Sequence, residues 1–379
     1  MMIYKNGIRL GIVGGGQLGK MLIQSAVDFN IQCLVLDPDN EAPCKDLAAE
    51  FTHGKLTDYE TVLQFGRKAD VITIEIENVN TDALEQLQKE GKHVYPEPKI
   101  IKLIQDKGLQ KQFYKENSIP TADFHLIENK NQLQVHSDFL PVFQKLRKEG
   151  YDGRGVKRIT SEKDFENAFD KPSVLEKLIN FDKEISVIVA RRPNGETVAF
   201  PPVELEFNPH ANLVEFLFMP SGISAEIAQK AESIALKVIN SLKMVGLLAV
   251  EMFVTKEGGV LVNEIAPRPH NSGHQTIEAN YTSQYEQHIR AIMDLPLGST
   301  RGKCAAVMVN LLGEAGHTGE ARYQGIEEVM QLEGVYIHLY GKTLTKPFRK
   351  MGHVTIIDEN LQIAREKAIF VKNTLKVIT

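Results

Sequence analysis

Two glutamates, Glu251 and Glu264, sit in apolar stretches on either side of a Gly258-Gly259 pair. Residues 247–254 and 260–266 are rich in Val, Leu and Ile, so both read as buried strands joined by a tight turn. Centring the turn between Glu257 and Gly258 sets Val254 opposite Leu261, Phe253 opposite Val262 and Glu251 opposite Glu264. Directly opposed residues share one face, with Cβ atoms about 5 Å apart. Two like charges that close, on apolar strands, repel unless something offsets them. Mg²⁺ does so, because it takes few carboxylates together with phosphate oxygens. Asn263 adds a neutral oxygen ligand only if the strand bends, since neighbours on a regular strand face opposite ways. The competing reading is a solvated cross-strand pair without metal, or a turn displaced by one residue.

A second group of residues could hold phosphate. Residues 140–145 read as a strand and 156–159 as its return. The loop between them carries Gly150, Tyr151, Asp152, Gly153, Arg154 and Gly155, with Arg147 and Lys148 just before. Asp-Gly marks a hairpin tip, and solvated charges would satisfy it. Paired with a magnesium hairpin, the same glycines and cations suit a mobile lid over phosphates. Lys145, at the strand end, would place a point charge on a phosphoryl oxygen.

Directly after the second acidic strand comes Pro267-Arg268-Pro269-His270-Asn271-Ser272-Gly273-His274. The prolines stiffen the backbone around Arg268, which lowers the entropy lost when a ligand is gripped. Arg268, His270, Asn271 and Ser272 thus form an anion and hydrogen-bond site. Zinc at His270 and His274 would need a helix that Gly273 and the prolines oppose. Lys342 and the run Phe348 to His353, which includes Arg349, form another basic cluster, either a substrate-phosphate site or a solvated loop.

The chain opens with a rival signal. Gly14-Gly15-Gly16-Gln17-Leu18-Gly19 fits GxGxxG between a strand and a helix, and Asp37 ends the next strand. On that motif alone an NAD-dependent oxidoreductase is the natural reading. Physically the motif requires only that helix N-terminal amides stay open to an anion, and a phosphate monoester would serve.

The elements that must position these residues fall into three stretches. Up to about residue 100, strand and helix signals alternate, implying a Rossmann-like parallel sheet covered by helices. Tyr95-Pro96-Glu97-Pro98 punctuates its end, and residues 99–117 read as one polar helix. Residues 140–265 carry many strands and one long helix over 225–242. After Pro296 the chain is strand-rich and ends in an amphipathic helix near 361–375. A length of 379 residues favours two or three domains. A net charge of -5 argues against a nucleic-acid polymer as partner. The 3 cysteines lack CxxC spacing, no apolar run reaches membrane-helix length, and no signal-peptide core is evident, so a cytoplasmic protein is expected.

Taken in order, the glycine turn, Glu75-Ile-Glu77-Asn78-Val79, the loop Gly150 to Gly155, the run Glu264 to His274 and Arg349-Lys-Met-Gly-His353 resemble the 5-(carboxyamino)imidazole ribonucleotide synthases. The resemblance implies an α/β and α+β multidomain protein. A Rossmann-like pre-ATP-grasp domain would span 1–100, and a two-lobed ATP-grasp domain 101–297, with a lid lobe near 118–180. A small strand-rich domain would span 298–379. It implies a homodimer that uses ATP, bicarbonate and 5-aminoimidazole ribonucleotide in purine biosynthesis. Carried over by position, Lys107 and Lys145 would contact ATP phosphates under a lid of residues 150–156, Val156 included. Glu176, Lys177, Leu178 and Ile179 would line the adenine pocket, Glu184 would hold the ribose, and Asn263 with Glu264 would approach the phosphates. Glu251 and Glu264 would bind magnesium. Gly16, Gln17, Leu18, Glu75, Tyr151, Asp152, Arg154, Arg268, His270, Asn271, Ser272, Lys342 and Arg349 would surround the ribonucleotide and bicarbonate. The catalytic groups among these would be Lys145, Tyr151, Asp152, Arg154, Arg268 and His270. Asp37 would become an ordinary strand-end residue. Lys148-Glu149, Phe207 and Lys107 depart from the family's usual residues, and nothing is carried over at Phe207.

Overall fold

The computed structural model describes residues 6–148, 155–208 and 213–379. The expected loop residues Gly150, Tyr151, Asp152, Gly153 and Arg154 lie outside the described residues.

The N-terminal strands Arg9–Val13, Gln32–Asp37, Glu50–His53, Val71–Ile74 and His93–Val94 form a parallel 5-stranded sheet. Its order is third, second, first, fourth, fifth, which puts Arg9–Val13 at the centre. Helices cover both faces, so the inner strands read as unbroken apolar runs: Leu10, Ile12, Val35 and Leu36 are buried. Asp58 and Asn80 cap the helices Tyr59–Arg67 and Thr81–Lys89 by accepting from Thr61 and Ala83 amides.

The polar stretch after Tyr95 is two helices, not one. Pro98 takes the first turn of Pro98–Ile104, where its missing N–H costs nothing. The chain then breaks at Asp106, whose carboxylate caps Lys107–Glu116 by accepting from the Gly108 and Leu109 amides. Arg147 holds the same carboxylate in a two-pronged pair at 2.9 and 2.8 Å, and the Lys107 amide donates to the Arg147 carbonyl. A distant partner therefore stabilises a break that local propensity does not announce.

Next comes an antiparallel 4-stranded lobe in the order Phe124–Ile127, Ser173–Lys177, Val142–Leu146, Val156–Ile159. It faces a 9-stranded sheet whose edge is the acidic hairpin, Gly246–Thr255 with Val260–Ala266. Phe181–Arg191 pairs with Gly246–Thr255 on the other side. The helix Ala225–Leu242 buries Ala231, Ile234, Ala235, Val238 and Ile239 against Ile185, Val187, Leu248 and Val250 of these strands. The strands after Pro296 extend the same sheet: Ala305–Leu312 pairs with Val214–Met219, and Lys350–Asp358 and Val335–Leu339 follow. The C-terminal helix Leu361–Thr374 covers them through Ala364, Ala368 and Val371.

The hairpin corrects one part of the sequence reading. Val254 pairs with Val260 and Phe253 with Leu261, one residue out from the expected register. The turn holds three residues between Thr255 and Gly259: the Gly258 amide donates to the Thr255 carbonyl, and Gly258 has φ +78. Glycine enters that left-handed region without a Cβ penalty, which a three-residue hairpin needs. A bulge between Met252 and Glu251 then absorbs Asn263 as an extra residue and restores Glu251 opposite Glu264.

Candidate functional site

The cleft lies between the 4-stranded lobe and the acidic hairpin. A cavity of about 20 Å³ there is lined by Lys107, Gln110, Lys111, Lys145, Val174, Glu176, Asn263 and Glu264. Successive residues Asn263 and Glu264 reach one cavity because the bulge breaks the strict alternation of a strand. Lys145 donates to Asn263 Oδ1 at 3.2 Å and lies 3.1 Å from Glu176 Oε2. Lys111 Nζ lies 3.2 Å from the same Glu176 oxygen and donates to Thr121 Oγ1 at 2.6 Å. Burial works against the Glu176 charge, yet Lys145 and Lys111 together hold its pKa below the ordinary value. Burial pushes Lys111 down to about 8, against the pull of Glu176.

Glu176 therefore stands at the lysine end of the cleft. Lys177 turns away and donates to the carbonyls of Phe139 and Leu140, while the Leu178 amide meets the Pro141 carbonyl. Ile179 follows on the connection to Phe181–Arg191. Gly155, with φ +74, and Val156 begin the return strand beside Lys145.

Glu251 and Glu264 are paired across the hairpin, with Glu264 exposed and Glu251 partly buried. Burial, then Glu264 and Glu184, push Glu251 up to about 8. Glu184, two strands in, is pushed up to about 7 by burial and then by Glu264. Burial and mutual repulsion outweigh the opposing pull of Lys350 and Arg268 on Glu251 and of Lys145 on Glu184, and an oxygen-only set with this repulsion fits a divalent cation. Among the described residues no group of three or more His, Cys, Asp or Glu has metal-binding geometry. His270 and His274 part company: His270 Nδ1 meets Ser272 Oγ at 2.9 Å, whereas His274 Nδ1 meets Tyr285 Oη at 3.1 Å.

Gln284 fixes the backbone of the polar run, accepting from the His270 amide at 2.8 Å and donating to its carbonyl at 2.7 Å. Ser272 Oγ continues to Ser186 Oγ at 2.8 Å, and His270 Nδ1 lies 3.7 Å from Glu251 Oε1. Burial, then Arg268, hold the His270 imidazole neutral, well below its ordinary pKa. Asn271 and Asn310 exchange side-chain amide bonds at 2.9 and 3.0 Å. Arg268 grips Glu77, with Nη2 3.1 Å from Oε2 and Nε 2.9 Å from Oε1.

That pair ties the polar run to the N-terminal sheet, where Glu75 accepts from the Leu18 amide at 3.1 Å. Burial pushes Glu75 up to about 7, with Arg268 opposing. A Cβ on Gly16 would stand 2.5 Å from Glu75 Oε1, so only glycine allows this approach. Gln17 and Leu18 open the helix Gln17–Val27 beside it. Asp37 is not an ordinary strand-end residue: it accepts from the Gly15 amide at 2.6 Å and the Asp39 amide at 2.8 Å. Carboxylates thus already engage two amides of the glycine turn, which removes the pyrophosphate cradle and the ribose acid of a dinucleotide site. On the C-terminal side, Lys342 donates to the Lys350 carbonyl and Arg349 to the Leu344 carbonyl.

Sequence reasoning missed Lys111, Gln110, the Asp106–Arg147 pair and the charge partner of Arg268. Lys111 had a signal: it is four residues from Lys107, on the same helix face. Glu77 and Arg268 are 191 residues apart, and no local pattern links them.

A small antiparallel lobe facing a large sheet across a lysine-lined, acidic-edged cleft defines an ATP-grasp enzyme, and the profile of the ATP-grasp domain matches residues 112–285. The ribonucleotide synthetase preATP-grasp domain matches residues 8–105, and the phosphoribosylaminoimidazole carboxylase C-terminal domain residues 306–367. Within that class the chain belongs to the N5-carboxyaminoimidazole ribonucleotide synthase family. The Bacillus subtilis synthase of that name is 37% identical over 365 residues, covering 94% of this chain and 93% of that one. The chloroplastic phosphoribosylaminoimidazole carboxylase of Vigna aconitifolia is 37% identical over 93% of this chain, which spans only 64% of that relative's length. Among solved structures, the Thermotoga maritima synthetase gives a TM-score of 0.90 at 42% identity, covering 98% of this chain and 99% of that one. The Aspergillus clavatus enzyme, in complex with ADP and 5-aminoimidazole ribonucleotide, gives 0.89 at 33%, covering 97% and 99%. Among the described residues no helix is long and apolar enough to cross a membrane.

Proposed function

We propose that the chain carboxylates 5-aminoimidazole ribonucleotide with ATP and bicarbonate, giving 5-(carboxyamino)imidazole ribonucleotide, ADP and phosphate. The observation that carries this reading is the facing Glu251–Glu264 pair at the mouth of a cleft lined by Lys107, Lys111 and Lys145. In this reading Lys107 and Lys145 hold the polyphosphate, and residues 150–156 close over it. The segment Glu176 to Ile179 flanks the base, with the Glu176 carboxylate itself turned toward Lys111 and Lys145, and Glu184 takes the ribose hydroxyls. Gly16 to Leu18, Glu75, Arg268, His270, Asn271, Ser272, Lys342 and Arg349 surround the aminoimidazole ribonucleotide, with Tyr151, Asp152 and Arg154 from the loop. Mg²⁺ held by Glu251 and Glu264, with Asn263 as neutral donor, would offset charge on the phosphoryl oxygens.

A bicarbonate oxygen attacks the γ-phosphorus, the bond to the β-phosphate oxygen breaks, and ADP leaves with carboxyphosphate formed. Lys145 neutralises charge developing on the transferred group. Carboxyphosphate divides into CO₂ and phosphate, and the exocyclic amine adds to CO₂ and loses a proton. His270, held neutral, can accept that proton; Asp152 is the other candidate. Arg268, fixed by Glu77, orients the anionic substrate. Exclusion of water protects carboxyphosphate from hydrolysis.

With this reading go a cytoplasmic location and a homodimer, the latter tested by sedimentation of the purified chain. The activity is tested by coupled ADP release with aminoimidazole ribonucleotide, with and without bicarbonate. Release requires both compounds and is abolished in Glu264→Ala; normal turnover by that variant contradicts the metal assignment. Bicarbonate-independent release would contradict the carboxylation.

A further inference from the structure

One charged side chain in the cleft has no role in the chemistry above. Lys111 is buried, its side chain only 5% exposed, in a helix whose neighbouring turn carries Lys107. A buried ammonium is kept only where it is paired and hydrogen-bonded. Lys111 meets both conditions through Glu176 on Ser173–Lys177 and through Thr121, whose hydroxyl passes on to the Val262 carbonyl at 2.7 Å. Val262 precedes Asn263, and Asn263 accepts from Lys145, whose ammonium returns to Glu176. The network closes on itself and joins three parts of the cleft: the small lobe, the helix Lys107–Glu116 and the acidic hairpin.

Charge balance gives this ring its meaning. Glu176 alone against Lys145 would neutralise the ammonium that a polyphosphate needs. The cavity lining holds three cations, Lys107, Lys111 and Lys145, against two carboxylates, Glu176 and Glu264. Taking away Lys111 leaves that lining neutral. We propose that Lys111 is a positioning residue of the nucleotide cleft: by sharing the Glu176 carboxylate it leaves Lys145 a net positive charge and fixes its direction toward bound phosphate. This rests on the nucleotide reading above. The groups facing Lys111 are Glu176, Lys145, the more distant Glu264 and the ring of Tyr114, 5.9 Å from its ammonium. Its lowered pKa makes the arrangement sensitive to alkaline pH, since loss of the Lys111 proton leaves Glu176 to Lys145 alone.

The test reads nucleotide binding apart from turnover. Metal-free ADP is titrated by calorimetry into the parent, Lys111→Met, Glu176→Gln and the double variant, with thermal midpoints measured alongside. Lys111→Met is expected to weaken ADP about tenfold, and the double variant to regain most of that loss, because the unbalanced carboxylate is gone. Loss in Lys111→Met that the double variant does not restore, or binding within twofold of the parent in a folded Lys111→Met, overturns the proposal. Should Lys111→Met fail to fold, the parent and the double variant still decide, titrated at pH 8 in buffers of different ionisation enthalpy. Glu251 and Glu184 titrate in this region too, so the informative quantity is the difference between the two proteins. Greater proton uptake by the parent supports the proposal; equal uptake contradicts it. A parent that binds no ADP removes both the nucleotide reading and this inference. A parent that binds ADP without aminoimidazole-dependent turnover removes only the proposed carboxylation.

Discussion

Replacing Glu251 by glutamine should stabilise the metal-free protein at alkaline pH while removing its response to Mg²⁺. Burial and the facing Glu264 push Glu251 from 4.5 to about 8. An unfolded chain ionises this carboxyl above the ordinary range, whereas the folded one keeps its proton until about 8. The folded state therefore binds more protons between those limits, and stability falls as pH rises through them. If Glu251 carried the whole effect, the change from 4.5 to about 8 would correspond to about 5 kcal/mol. Glu184 titrates in the same range, so we expect about 2–4 kcal/mol between parent and Glu251→Gln at pH 8.5. Urea unfolding from pH 5 to 9 in chelator measures it: the curves converge near pH 5 and separate as the parent weakens. Mg²⁺ added in the presence of ADP then restores the parent, whereas the variant gains nothing beyond what ADP alone provides. Parallel curves across the range, or an equal response to Mg²⁺, would refute the reasoning.

Other consequences can be checked with simpler variants. Gly273→Ala places a Cβ 2.6 Å from Gln284 Cδ and also against Ile188, displacing the clamp on His270. It should cost about 1–3 kcal/mol in thermal unfolding and reduce bicarbonate-dependent turnover more than ADP affinity. Arg147→Met strips the two-pronged partner from Asp106, which is 6% exposed, and should cost about 2 kcal/mol. Asp106 is held below its ordinary pKa, chiefly by the Arg147 hydrogen bond acting against burial. Its contribution is therefore present above the ordinary aspartate range and lost as pH falls, so the gap to the parent should close in acid. Retention of the full gap at pH 3 would contradict that assignment.

The opposed glutamates were legible for a reason that partly failed. The two-residue turn expected at Glu257 and Gly258 is a three-residue turn, and the bulge at Asn263 offsets the slip one pair short of the acidic residues. Apolar patterning constrains which face Glu251 takes, whereas a bulge leaves no compositional trace beyond Asn263 itself. The parallel sheet was readable because alternating apolar and helical signals are local. The break at Asp106 and the Arg268–Glu77 tie were not, because each depends on a partner far along the chain. A buried lysine in a polar helix, such as Lys111, looks in sequence like a solvated one until its neighbours are placed.

The central claim is that Glu251 and Glu264 share a divalent cation beneath a bound polyphosphate. Its most direct measurement is electron paramagnetic resonance of Mn²⁺ titrated into the chain with ADP. Protein-bound Mn²⁺ should appear in the parent only with nucleotide and be lost in Glu264→Gln, with ADP binding itself retained. Nucleotide-dependent Mn²⁺ binding of equal strength in that variant would contradict it.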